Sequence, residues 1–281
     1  MPAIPPLAEQ ELINRVYDAI KAEKYDKDLY LGRLGSSFIG RECLRQTWLS
    51  WRAFASAEFD GRMYRLFETG HIQEDRIVAD MRRAGFMVYD RDENGNQFEF
   101  VDDTGHFIVK VDGILKGFPD DPDTPYVLEI KTHNKNSFSA LQKHGVRASK
   151  PEHYTQVQAG MMLGGFTQAV YIALCKDDEK FHVERVDSDP AEFERICYNI
   201  QKMVDATLKP AGISDDGSSF GCKFCDMKGA CTGAVKPVKT CRSCRFSTPS
   251  ERGEWVCELS VDRIVLDKAA QRAACPSYES M

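Results

Sequence analysis

The stretch that most constrains this 281-residue chain runs from Phe107 to Thr132, FIVKVDGILKGFPDDPDTPYVLEIKT. It reads as two β-strands joined by an acidic, proline-containing loop, with Asp112 ending the first strand and Glu129 and Lys131 late in the second. Residues two apart in a strand project from one face, so Glu129 and Lys131 point together and Ile130 points away. A carboxylate and an ammonium set into a hydrophobic strand are costly to bury unless they pair or hold a metal. Asp112 opposite them completes D-x(16)-E-I-K. Two carboxylates so placed suit Mg²⁺, a hard, oxygen-seeking ion that keeps several of its waters. A neighbouring lysine can orient an attacking water and stabilise the charge of a phosphoryl transition state.

Around this stretch the hydrophobic period alternates between helix and strand, which predicts an α/β domain. Leu12, Ile13, Val16, Tyr17 and Ile20 have the spacing of an amphipathic helix at the domain edge. Ser36-Ser37 could cap a second helix from Phe38 onward, with Cys43 in its first turns. A third helix, closing at Gly85, carries Gly70-His71 at its start and Glu74 three residues further on the same face. From Phe86 the period becomes that of strands, and FMVYD, QFEFVDD and HFIVKVDG read as an antiparallel meander. Residues 131–150 hold Lys131, Lys135, Lys143, Arg147 and Lys150 with no acidic residue. Composition makes this a solvated loop; its position after the Glu129 strand makes it a candidate for gripping phosphates by charge. A helix opening at Pro151 carries Tyr154, Gln156 and Gln158; the strands QAVYIALC and FHVERVD and a helix from Pro190 follow. Cys175 and Cys197 lie in apolar settings and read as core cysteines.

The net charge of −6 announces no global affinity for nucleic acid, so any such contact must come from local patches. The longest apolar run, Ala169 to Cys175, is too short to span a bilayer, and MPAIPPLAEQE lacks the pattern of a secretory signal. A cytoplasmic protein without membrane partners is expected; the family resemblance given below implies a bacterial or phage-infected cell. Seven of the ten cysteines fall between Cys222 and Cys275, largely in C-x-x-C spacing, which in a reducing compartment points to metal. The first group is Cys222-x2-Cys225-x5-Cys231; the second is Cys241-x2-Cys244-x12-Cys257-x17-Cys275. Four thiolates within the second suit a four-cysteine zinc site holding a module too small to fold on its own core. Boundaries follow at 1–34 for an N-terminal helical segment, 35–234 for the main domain and 235–281 for the zinc module.

In their order, Gly70-His71, Val111-Asp112-Gly113, Glu129-Ile130-Lys131 and Tyr154-x-Gln156 resemble the motifs of the PD-(D/E)XK nuclease superfamily, in its RecB-type branch. The resemblance covers roughly residues 36 to 232. It implies a restriction-endonuclease-like core, a mixed central sheet flanked by helices, cleaving DNA with Mg²⁺ or Mn²⁺. It assigns His71, Asp112, Glu129 and the carbonyl of Ile130 to the metal, Lys131 to orienting or helping to deprotonate the attacking water, Gln156 to catalysis near the metal or the DNA with Gln158 a weaker candidate, and Tyr154 to DNA binding. In the iron–sulfur members, among them the CRISPR-adaptation and AddB-type nucleases, three clustered cysteines are joined by one ahead of the Gly-His motif. Cys43 holds that place, which implies a [4Fe–4S] staple on Cys43, Cys222, Cys225 and Cys231; zinc on the same residues is the alternative. With no helicase motif in the chain, the implied activity is an exonuclease on double-stranded ends, serving recombination with a single-strand annealing protein. A CRISPR-adaptation-like trimming nuclease and an inactive DNA-end-binding adaptor are the rivals, and a homo-oligomer is also admitted.

Overall fold

The computed structural model describes residues 6–24, 31–56, 59–259 and 261–281. In chain order these form α1 (Pro6–Lys24), β1 (Leu34–Gly35), α2 (Ser36–Ile39), α3 (Leu44–Trp51), α4 (Gly61–Arg83), β2 (Met87–Tyr89), β3 (Glu99–Val101), β4 (Phe107–Lys110) and β5 (Gly113–Lys116). Then come β6 (Tyr126–His133), α5 (Lys135–Ser149), α6 (Pro151–Gly164), β7 (Gln168–Cys175), β8 (Phe181–Asp187) and α7 (Pro190–Val204). The C-terminal stretch adds α8 (Lys228–Thr232), β9 (Ser247–Pro249), β10 (Trp255–Cys257), β11 (Ile264–Val265) and α9 (Lys268–Arg272).

The central sheet has the order β2-β5-β6-β7-β8, with β6 and β7 parallel over their full length and the other pairs antiparallel. Strands buried on both faces need apolar residues at every position, which is why QAVYIALC reads as a continuous hydrophobic run. On one face Val127, Ala169 and Tyr171 pack with residues of α5, α6 and α7; on the other Leu128, Ile130, Val170 and Ile172 meet Ile77 and Val78 of α4. The α/β architecture, a mixed sheet with helices on both faces, is as expected. No helix among the described residues is long and apolar enough to cross a membrane.

Four expectations are corrected. The helix read from Phe38 is divided into α2 and α3 at Gly40–Cys43, and α6 packs so closely there that a Cβ on Gly40 would stand 2.9 Å from Glu152 Cα. Cys43 therefore sits at the N-cap of α3 with extended backbone, outside its turns. The meander is divided between two sheets: β3 and β4 join β1, while β5 joins β2 and β6. The chain crosses from one to the other at Val111–Asp112, so Asp112 lies in a break and not at the end of one long strand. Residues 135–149 are helical on either side of a kink at Gly145, which has φ 72°, and are capped by Asn134, which accepts a bond from Ser137 N at 2.9 Å. Cys175 is buried in the core, but Cys197 is exposed, since Ile196, Ile200 and Met203 take the inner face of α7.

The C-terminal sheet is stitched to the rest by two buried arginines. Arg52 donates to the carbonyls of Arg242, Cys244 and Ser247, and Arg242 donates to those of Gly32 and Trp51. The Arg242 guanidinium lies 3.9 Å from the Trp255 ring, and Trp255 belongs to the main core.

Candidate active site

Asp112 owes its position to the crossing between sheets. Its Oδ2 accepts a hydrogen bond from Ile130 N at 2.7 Å, and its backbone N–H donates to Leu128 O, so it is locked across β6. Gly113 beside it allows the close pass of β2: an added Cβ would lie 3.0 Å from Tyr89 O. Glu129 is 1% exposed, on the strand face that also carries Lys131. Lys131 Nζ forms an ion pair with Glu129 Oε1, and that oxygen has no other partner. From α4, Glu74 approaches the same group, with His71 Nδ1 3.9 Å from its Oε2.

Burial pushes the carboxyls of Glu129, Asp112 and Glu74 all above their usual range; Asp112 adds to the rise of Glu74 and Glu129, and Lys131 opposes all three. Burial also opposes the Lys131 charge, but Glu129, Asp112 and Glu74 together outweigh it and hold the ammonium firmly protonated. Three carboxyl groups thus stand beside one ammonium, and of the four Glu74 and Lys131 line a cleft of about 550 Å³. The cleft is lined by His71, Glu74, Ile130, Lys131, Lys150 and His153, among others. Such an oxygen-rich donor set suits a hard divalent cation. As the side chains stand, no three His, Cys, Asp or Glu groups among the described residues surround a single point, and Lys131 rather than a third carboxylate lies against Glu129.

Of the remaining residues singled out in the sequence, His71 lines the cleft from the middle of α4, ten residues beyond its start, and not from a helix N-terminus. Gln156 does not reach the cleft; it lines a separate cavity of about 690 Å³ with Ser36, Ser37, Arg41 and Lys110. Tyr154 donates to Asp189 Oδ2 at 3.1 Å under the Arg147 guanidinium, and these two line a different groove. Gln158 is wholly buried, bonded to Asp187 O and Asp189 N. Lys135 and Lys143 are exposed on α5, so of Tyr154, Lys135, Lys143, Arg147 and Lys150 only Lys150 lines the cleft. Two contributors lay outside the sequence candidates: Glu74, visible there only as the neighbour of His71, and His153, which carried no signal.

The cysteines gather as two sets. Cys43, Cys222, Cys225 and Cys231 line one small pocket, although Cys43 comes from a distant part of the chain. Arg45 Nη1 lies 3.6 Å from Cys231 Sγ. Burial, with Asp226, Cys43 and Cys222 nearby, pushes the Cys225 thiol up. In the second set, burial and then Cys244, Cys275 and Cys257 push the Cys241 thiol up to about 11.

No model of a known protein family matches the chain, and no curated protein matches it. Among solved structures, the alkaline exonuclease LHK-Exo from Laribacter hongkongensis is 15% identical, with a TM-score of 0.42 over 66% of this chain and 90% of that one. LHK-Exo in complex with dAMP matches at 16% identity and a TM-score of 0.43 over the same shares. SSO0001 matches at 12% identity and a TM-score of 0.44, over 82% of this chain and 98% of its own.

Proposed function

We propose that this chain is a divalent-metal-dependent DNA exonuclease acting on double-stranded ends. The observation that carries the reading is the group of Glu74, Asp112 and Glu129 gathered around Lys131 at the cleft, three carboxyls whose ionised forms burial disfavours and a bound cation would favour. Asp112 and Glu129, with Glu74 or His71, would hold Mg²⁺ or Mn²⁺, and the Ile130 carbonyl completes the set that the motif resemblance implies. The ion supplies an activated water and neutralises charge developing on the phosphate. Lys131 would orient the attacking water or help deprotonate it, and would stabilise the charge of the transition state. Lys150 on the cleft wall provides a further cation for the strand. The preference for ends, and for DNA, comes from the resemblance and not from the cleft.

Two supporting metal centres belong to this reading. Cys43 meeting Cys222, Cys225 and Cys231 on one pocket supports the [4Fe–4S] staple, with zinc as its alternative; the nearness of Cys244, Cys257 and Cys275 to Cys241 supports zinc in the C-terminal stretch. Both donor sets fit soft metals.

The test is digestion of end-labelled linear duplex beside closed circular DNA, with Mg²⁺ and with Mn²⁺, using wild type and Asp112→Ala. Loss of the linear substrate alone, with wild type alone, is the expected result. Nicked circles would make the protein an endonuclease, and intact DNA with every metal would make it a binding protein.

A further inference from the structure

One wall of the cleft is built from four polar side chains to which the chemistry above gives no role. His133 Nδ1, on β6, lies 3.0 Å from Ser137 Oγ on α5, and its Nε2 lies 3.0 Å from Tyr171 Oη on β7. His153 Nδ1, on α6, lies 2.8 Å from the same hydroxyl. Tyr171 is fully buried and stands in register with Glu129 on the adjacent strand. The relay therefore ends at His153, which shares the cleft with Lys131. Among the described residues its Nε2 has no partner.

A tyrosine hydroxyl carries one proton, so Tyr171 donates to one histidine and accepts from the other. Only two arrangements satisfy every bond. In the first, Ser137 donates to His133, His133 Nε2–H donates to Tyr171, Tyr171 donates to His153 Nδ1, and His153 keeps its proton on Nε2. In the second every bond is reversed, and His153 offers a bare Nε2. Lys131 and Lys150 line the cleft beside Glu74, and its expected ligand is a phosphodiester whose oxygens, drawn in by those cations, are acceptors. A bare nitrogen would repel them, whereas an Nε2–H attracts them. Burial, reinforced by Lys131, His133 and Lys150, pulls His153 down to about 3; burial, Lys150, Lys176 and Lys131 pull His133 down to about 4. Both rings are therefore neutral at ordinary pH.

We propose that His153 contacts the substrate, giving a neutral Nε2–H hydrogen bond to a non-bridging phosphate oxygen, and that Tyr171, His133 and Ser137 are positioning residues that fix its tautomer. This rests on the nuclease reading and adds a phosphate contact opposite Lys131. The alternative role is structural, tying α6 to the sheet.

The test compares His153→Leu, His153→Gln and Tyr171→Phe with wild type in steady-state cleavage of linear duplex, with thermal melting and ¹⁵N-imidazole spectra of the same proteins. His153→Leu is expected to lower kcat/KM by about 10- to 100-fold, the loss of one hydrogen bond to a charged oxygen. His153→Gln, whose amide N–H reaches about as far as Nε2, restores most of it. Tyr171→Phe loses several-fold while the His153 spectrum changes from the pure Nε2–H form to a mixture of tautomers. Equal cleavage by all four proteins would overturn the proposal, as would His153→Gln proving as defective as His153→Leu. An active wild type with unaffected variants sinks this proposal alone. A wild type that cuts nothing sinks the nuclease reading first and this contact with it.

Discussion

At the scale of single residues, the site gathers carboxyls whose ionised forms burial disfavours. Asp112→Asn keeps an oxygen to accept the Ile130 N–H while removing one of the repelling charges. Because burial holds the Asp112 carboxyl above its usual range, the charged form is the disfavoured one in the fold. The variant is expected to melt no lower than wild type in the presence of a chelator, to lose the rise in melting temperature that Mg²⁺ gives wild type, and to cut about 100-fold more slowly or worse. A melting temperature several degrees below wild type would show that the carboxylate is structural. Glu74→Gln, the residue that sequence reasoning left out, is expected to lose about 10- to 100-fold in activity. Wild-type rates in this variant would confine the metal to Asp112 and Glu129. The two buried histidines set a pH dependence of a different sign. Their pKa values are depressed, so the unfolded chain binds more protons than the native one below about pH 6.5. Stability is full above that pH and falls as the pH drops towards 4. Replacing His133 and His153 with glutamine should flatten the acid limb of a melting-temperature profile between pH 7 and 4; an unchanged limb would place the acid sensitivity elsewhere.

At the scale of elements, legibility followed the period. The run from Gln168 to Cys175 and the alternating FHVERVD became β7 and β8 with unchanged limits, because burial on both faces and on one face leave distinct patterns. Elements whose limits depend on distant partners could not be read. Nothing local distinguishes β4 from β5, since the alternation continues through Val111–Asp112 while the pairing partners change. The break after α2 falls at Gly40, where α6 packs closely, and the basic 135–149 segment is helical because Phe138, Leu141 and Val146 are buried against the core. The charged motif was legible because it sits on the best-defined strand; Gln156 and Tyr154 were misplaced because their helical face depends on how α6 lies on the sheet. That helix approaches closely: a Cβ on Gly160 would stand 3.2 Å from Val111 Cγ1 and 3.3 Å from Val127 Cγ1. Gly160→Val is therefore expected to overpack the α6 contact, costing about 1–3 kcal/mol by urea unfolding and shifting His153 in the cleft wall. Wild-type stability and activity together would mean that α6 can lift without consequence.

At the scale of the whole molecule, the ends of the chain are held by polar stitching over a largely aromatic contact. Arg52 is 1% exposed, lies about 5.0 Å from the Trp255 ring, and supplies three carbonyl groups with donors at 3.1, 3.3 and 2.6 Å. Burial drags its pKa down to about 9, against the pull of Cys244, so its charge is kept at a cost that the carbonyls offset. Arg52→Met fills much of the same space but removes all three donors from a dry interior, leaving Cys244 O only its bond from Ser247 N. The loss should be on the order of 3 kcal/mol. It should appear first as protease sensitivity across residues 240–281, with Trp51 and Trp255 becoming quenchable by acrylamide, since both belong to the core that this stretch covers. If the C-terminal stretch were instead held by its own metal and merely rested on the main domain, Arg52→Met would leave the tryptophans protected, whereas removing zinc with a chelator would expose them. Comparing the two treatments on the same protein decides which device carries the junction, and the buried guanidinium with its three carbonyls predicts that the arginine variant gives the larger exposure.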